Sequence, residues 1–224
     1  MLTSDVKSRR KFIGTLAATA SLTGMTVPFL SQANAKPVKK SAHAADAWFE
    51  GVKGDHRIVY DAPEIHDGFP IIWPWAFYMT NNQTGTADED MTAVVVLRHN
   101  AIPLAMEDRL WQKYNFGQVF NMNDQKTSKP SLRNPYYEPQ EGDMPLPVID
   151  GIKKQIDRGI MYCVCELAIS VYSGAVAQQM NMNPEEVTKD WISGVLPGIQ
   201  VVPSGVWALG RAHEHNCGYI YAGG

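Results

Sequence analysis

The chain has 224 residues, a formal net charge of −3, 45% hydrophobic and 19% charged residues, and three cysteines. These values exclude a disordered chain, a collagen-like repeat and a disulfide-stapled miniprotein, and the slightly acidic balance argues against a nucleic-acid partner. No apolar stretch reaches the ~18–20 uninterrupted residues of a spanning helix, the length suits one domain with a full core, and an odd cysteine count leaves at least one thiol without a partner inside the chain.

In chain order, residues 1–35 read as an address. Ser8-Arg9-Arg10-Lys11-Phe12-Ile13 resembles the twin-arginine export motif. A weakly apolar stretch rich in Ala, Thr and Gly follows, and then Ala33-Asn34-Ala35, an A-x-A cleavage signal. The expectation is a removed signal peptide, a mature chain starting near Lys36, a periplasmic location and no stable membrane span once the signal is gone. Residues 36–54 read as a linker, and 55–224 as an α/β domain.

Residues 56–61 are a strand candidate centred on Ile58, Val59 and Tyr60. Residues 71–81 suit a helix started by Pro70. Residues 92–98 form a continuous β-branched run, the pattern of a strand covered on both faces. Residues 104–114 have helical spacing. The stretch 128–147 holds Pro130, Pro135, Pro139, Pro145 and Pro147 and no periodicity; it reads as a proline-rich insertion, either an ordered lid-like loop or a solvated excursion. Residues 147–158 suggest a helix with Ile149, Ile152 and Ile156 on one stripe. A buried strand over 160–165, a helix over 167–180, a helix opened by Asn183 and Pro184, a strand over 198–202, a helix over 204–213 and a strand over 218–221 complete the pattern. Alternating strands and helices indicate a mostly parallel five-stranded sheet with helices on both faces.

In such a sheet, ligands sit beyond the carboxyl ends of the strands. His99 follows the 92–98 strand, Cys165 ends the 160–165 strand, and Ser204 follows the 198–202 strand. Cys165 also opens a helix, whose positive end favours a thiolate; His99 and Arg98 would add positive charge nearby. The opposite reading is that Cys163 and Cys165 are simply core. Two strand residues rise ~6.6 Å, too far for the ~4 Å Cβ separation of a disulfide, and Cys217 precedes the last strand, at the other end of a parallel sheet. No intrachain disulfide is therefore expected. His213, His215 and Cys217 have zinc or copper ligand chemistry, but i and i+2 on a helix point apart. No dinucleotide fingerprint, P-loop, zincin motif, c-type haem motif or nucleophile elbow is present, so no cofactor is assigned.

The segment Gly198-Ile199-Gln200-Val201-Val202-Pro203-Ser204-Gly205-Val206, a helix with Leu209 and Arg211, and the final Gly218-Tyr219-Ile220-Tyr221 are similar to the C-terminal end of the DsrE/DsrF-like sulfur-relay family. Asp157-Arg158-Gly159-Ile160 leading to Val164-Cys165, and Val94 to His99, resemble its earlier strands. The resemblance covers roughly residues 56–224. It implies a flavodoxin-like three-layer α/β sandwich, homo-oligomers, and a persulfide on the cysteine matching Cys165, exchanged with a sulfur donor or redox partner protein. Export, the proline-rich insertion and the additional Cys163 depart from the family pattern. The function expected first is an exported sulfur carrier or sulfurtransferase in which Cys165 holds the sulfur, His99 keeps it anionic and Ser204 hydrogen-bonds the terminal atom. The alternatives are a non-catalytic small-ligand-binding or assembly module, and a metal-binding protein using His213, His215 and Cys217.

Overall fold

The structure, a computed structural model, describes residues 44–223. The expected signal peptide lies outside the described residues. Five strands, β1 (His56–Ala62), β2 (Met91–Leu97), β3 (Met161–Cys165), β4 (Ile199–Val202) and β5 (Gly218–Tyr221), form one sheet in the order β4-β3-β2-β1-β5. Every neighbouring pair is parallel. With helices on both faces this is the expected α/β, flavodoxin-like three-layer arrangement. β2 is buried at all seven positions, as its unbroken β-branched run requires.

The two faces are unequal. One carries helices α2 (Phe69–Gln83), α3 (Asp108–Lys113), α4 (Phe116–Val119), α5 (Ile152–Asp157), α6 (Glu166–Gln179) and α7 (Pro184–Ser193). They bury Ile71, Tyr78, Trp111, Phe116, Ile152, Ile169 and Trp191 against Tyr60, Val95, Leu97, Tyr162 and Val164 of the sheet. The other carries α1 (Ala44–Phe49) and α8 (Gly205–Glu214), whose Ala45, Phe49, Ala208 and Ala212 pack on Val59, Val94, Val96, Cys163 and Val202. From β1 to β4 the chain steps outward strand by strand with its connections on the first face. It then returns across the sheet through α8, on the second face, to place β5 beside β1. Reversing direction and face together keeps every crossover the same hand.

Three sequence expectations need correction. Residues 44–54 are not linker: α1 buries Phe49 completely, and Asp46 accepts a hydrogen bond from Arg211 Nε at 2.7 Å. The helix expected over 147–158 is only Ile152–Asp157. Its start is fixed by Gly151, where a Cβ would come within 2.2 Å of Pro139 Cδ. The preceding residues turn instead, with Ile149 N–H donating to Leu146 C=O. The helical pattern expected over 104–114 begins as a 3-10 turn, His99–Ala105, and becomes α-helical only at Asp108.

The insertion is an ordered loop. Its Tyr136 and Tyr137 carbonyls accept from the first two amides of α5, Ile152 and Lys153, at 2.9 and 3.2 Å. Those are amides a helix cannot satisfy internally. The buried Asn134 donates to the Leu104 and Met106 carbonyls at 2.8 and 3.2 Å. Among the described residues, no helix is long and apolar enough to cross a membrane.

Candidate functional site

β3 is followed by α6 on the first face, while its neighbour β4 is followed by α8 on the second. Adjacent strands whose connections leave to opposite faces open a crevice at their carboxyl ends, the place where open α/β sheets take ligands. Cys165 stands at this switch point. It pairs in register with Val202 of β4, and just beyond that pair Leu167 N–H donates to Pro203 C=O at 3.3 Å.

Cys165 is both the last residue of β3 and the N-cap of α6, and its Sγ accepts the Ala168 N–H at 3.2 Å. A capping side chain satisfies one of the amide donors left open at a helix start. Here the capping atom is sulfur, and it receives that amide at the positive end of the helix. The residue is 6% exposed. Cys163, two residues earlier, is fully buried against Val94 and Val96 on the second face, and burial pushes its thiol well up. Cys217, beneath α8 near the amino end of β5, is also held up by burial. All three cysteines are free thiols in the structure.

The other residues expected at the site are placed differently. Ser204 does follow β4, and its hydroxyl oxygen accepts the Trp207 N–H at 3.2 Å as the N-cap of α8. Its acceptor is thus committed to the helix start rather than to a ligand. Arg98 lies level with Cys165, because Leu97 and Val164 are register partners. Its guanidinium, however, is held by Asp61, with Nε to Oδ1 at 2.6 Å and a second bond to Oδ2 at 3.0 Å. Asp61 is buried, also accepts from Tyr219 Oη at 2.8 Å, and keeps Arg98 firmly cationic. The positive charge of Arg98 is therefore spent on Asp61.

His99 sits one strand over from Cys165 with a left-handed backbone, φ 50°. That conformation is uncommon outside glycine and concentrates at functional sites. Its Nδ1 is 3.7 Å from Glu64 Oε1, and its ring meets Tyr172 edge-on at 5.7 Å. Its described partners are Glu64 and Tyr172, not Cys165. Sequence reasoning missed the network beside it: Tyr172 Oη donates to Asn100 Oδ1 at 2.7 Å, and Asn100 Nδ2 donates to Glu64 Oε2 at 2.9 Å. Burial, with Glu64 nearby, pushes the Tyr172 phenol up to about 12, so it is a donor at neutral pH. Tyr172 lies seven residues beyond Cys165, two turns along the same helix. That spacing was the available signal; nothing local points to Glu64.

The three residues of the metal-binding alternative are spread over different surroundings. His213 is exposed, the His215 ring lies on Phe49 at a 26° interplanar angle, and Cys217 is buried. Among the described residues, no three His, Cys, Asp or Glu side chains converge as a metal site. Two open hollows in the surface are lined by residues of the insertion and its neighbours, and neither takes in Cys165, His99 or Ser204.

No family model and no curated protein matches the chain. Among solved structures it is similar to a protein of unknown function, MTH1491, from Methanobacterium thermoautotrophicum. The identity is 14% and the TM-score 0.39, over 75% of this chain and 99% of that one.

Proposed function

We propose that the protein is an exported sulfur carrier of the DsrE/DsrF-like kind, working in the periplasm as a homo-oligomer and holding a sulfane sulfur as a persulfide on Cys165. The observation that carries this reading is the sulfur itself. At the switch point of the sheet, Cys165 Sγ takes the place of an oxygen cap and receives a helix-start amide. Thiolates, not thiols, attack sulfur donors, and an amide donor at a helix start favours the anion. The thiolate attacks the terminal sulfur of a polysulfide, and a new S–S bond forms to Cys165. The donor's S–S bond breaks, and the shortened polysulfide leaves with the electron pair. Charge is conserved and there is no net oxidation. With thiosulfate as donor, the leaving group is sulfite.

His99 lies at the neighbouring strand end beside Glu64 and Tyr172, and Ser204 caps the start of α8 after β4. The low exposure of Cys165 favours the one rival worth separating, a ligand-binding or assembly module whose thiol is only structural. Intact-mass measurement after incubation with polysulfide or thiosulfate decides between them. The expected result is one added sulfur atom, lost in Cys165→Ser and retained in Cys163→Ser. No added sulfur in the wild type, or addition that survives Cys165→Ser, removes the sulfur-carrier reading.

A further inference from the structure

Glu64, His99, Asn100 and Tyr172 come from three segments and meet beyond the carboxyl ends of β1 and β2. The backbones there are tied together, since Asn100 N–H donates to Pro63 C=O at 2.9 Å. The His99 side chain is 42% exposed, yet its Nδ1 is buried, has no hydrogen bond among the described residues and lies 3.7 Å from Glu64 Oε1. The exposure therefore belongs to the opposite edge of the ring, where Nε2 has no partner among the described residues. The Glu64 carboxylate is anchored. Its Oε2 accepts from Asn100 Nδ2, and Asn100 Oδ1 accepts from Tyr172 Oη. Arg98, the neighbouring cation, is bound to Asp61. An imidazole with one nitrogen turned to an anchored carboxylate and the other open is oriented to take a proton at the open nitrogen.

We infer that Glu64, anchored through Asn100 and Tyr172, orients His99 as the base for sulfur leaving Cys165, with Nε2 taking the proton of the incoming thiol. The inference rests on the sulfur-carrier reading and adds to it a catalytic base and the residues that position it. Leu97 and Val164 are register partners, so Arg98 lies level with Cys165 and His99 comes one residue further out on the adjoining strand end. Neighbouring strands are ~4.8 Å apart, and the outer sulfur of a persulfide stands ~2 Å beyond Sγ. An acceptor thiol between the two strand ends links them without any contact of His99 with Cys165. Ordinary thiols have a pKa of ~8.5 and are mostly protonated near neutrality, so this acceptor gains from a base. Its S–H proton passes to Nε2 and its sulfur bonds to the outer sulfur. The S–S bond to Cys165 breaks, and Cys165 leaves as the thiolate with the electron pair. The acceptor departs as a persulfide with no net oxidation, and Glu64 faces the imidazolium that forms.

The protein is loaded with polysulfide, then given either 2-mercaptoethanol or sulfite, and the sulfur left on Cys165 is followed by intact mass. Sulfite attacks through a sulfur lone pair with no proton to lose, so it is the internal reference. Because His99 has φ 50°, glycine replaces it without backbone strain. In His99→Gly the ratio of thiol rate to sulfite rate is expected to fall about a hundredfold, the low end of general-base catalysis, and added imidazole restores it. Glu64→Gln lowers the same ratio by a smaller factor. A wild-type ratio in either variant overturns the proposal, and so does a loss in His99→Gly that imidazole does not restore, which is the mark of a merely structural role. A wild-type protein that takes up no sulfur removes the sulfur-carrier reading itself, and this inference falls with it.

Discussion

At Asp190 three donors converge on one carboxylate: Arg109 Nη1 at 2.5 Å, Lys113 Nζ at 2.8 Å and Tyr114 Oη at 2.6 Å. Desolvation alone would raise this carboxyl, yet the hydrogen bonds from Lys113, Tyr114 and Arg109 outweigh it and hold it at about 2. The folded value lies below the unfolded one of ~4, so the contribution to stability is complete above ~pH 4 and fades as pH falls towards 2. Asp190→Asn is expected to cost about 2 kcal/mol near neutrality. Urea unfolding of both proteins from pH 7 down should show the gap closing below pH 4; a gap independent of pH would show that the carboxylate charge is not what matters. At Cys165 a single amide donor, at a helix start, meets a sulfur atom rather than a carboxylate. That residue's place at a strand end and a helix start was legible in the sequence, because a short apolar run over 160–165 gives way there to a helical pattern. Glu64, Asn100 and Tyr172 were not, because they come from segments 36 and 72 residues apart and only the sheet brings them together.

At the scale of elements, the insertion and α5 depend on each other. The Tyr136 and Tyr137 carbonyls satisfy the start of α5, and Gly151 lets Pro139 lie directly on the helix. A methyl at Gly151 would also come within 2.7 Å of the Tyr137 carbonyl, and backbone cannot yield as a flexible side chain can. Gly151→Ala is expected to cost about 1–3 kcal/mol and to make residues 128–147 the first site of limited proteolysis. Unchanged stability and cleavage would mean that the loop does not rest on this contact. The same contact explains why the helix read from Ile149, Ile152 and Ile156 was too long. All three isoleucines do pack against the first-face core, but the chain reaches Ile149 as a turn. Apolar spacing reports which side chains face the core, not whether the backbone between them is helical. The short α1 was missed for the converse reason: six residues with two buried positions, Ala45 and Phe49, show too little of a helical period to be recognised.

For the molecule as a whole, the parallel sheet was the most legible feature, since strands buried on both faces read as unbroken apolar runs. The topology sets what remains. Because α8 alone of the crossovers lies on the second face, the chain leaves β3 and β4 towards opposite faces, and the thiol that caps α6 stands at that point. Cys163, only two residues away, points into the core and is held protonated by burial. The account therefore rests on one difference between two neighbouring thiols in the folded protein. Alkylation of the native protein by iodoacetamide near neutral pH, read by peptide mapping, measures it most directly. Cys165 should be modified in the folded state, while Cys163 and Cys217 react only after denaturation. A native Cys165 as inert as Cys163 would contradict the account.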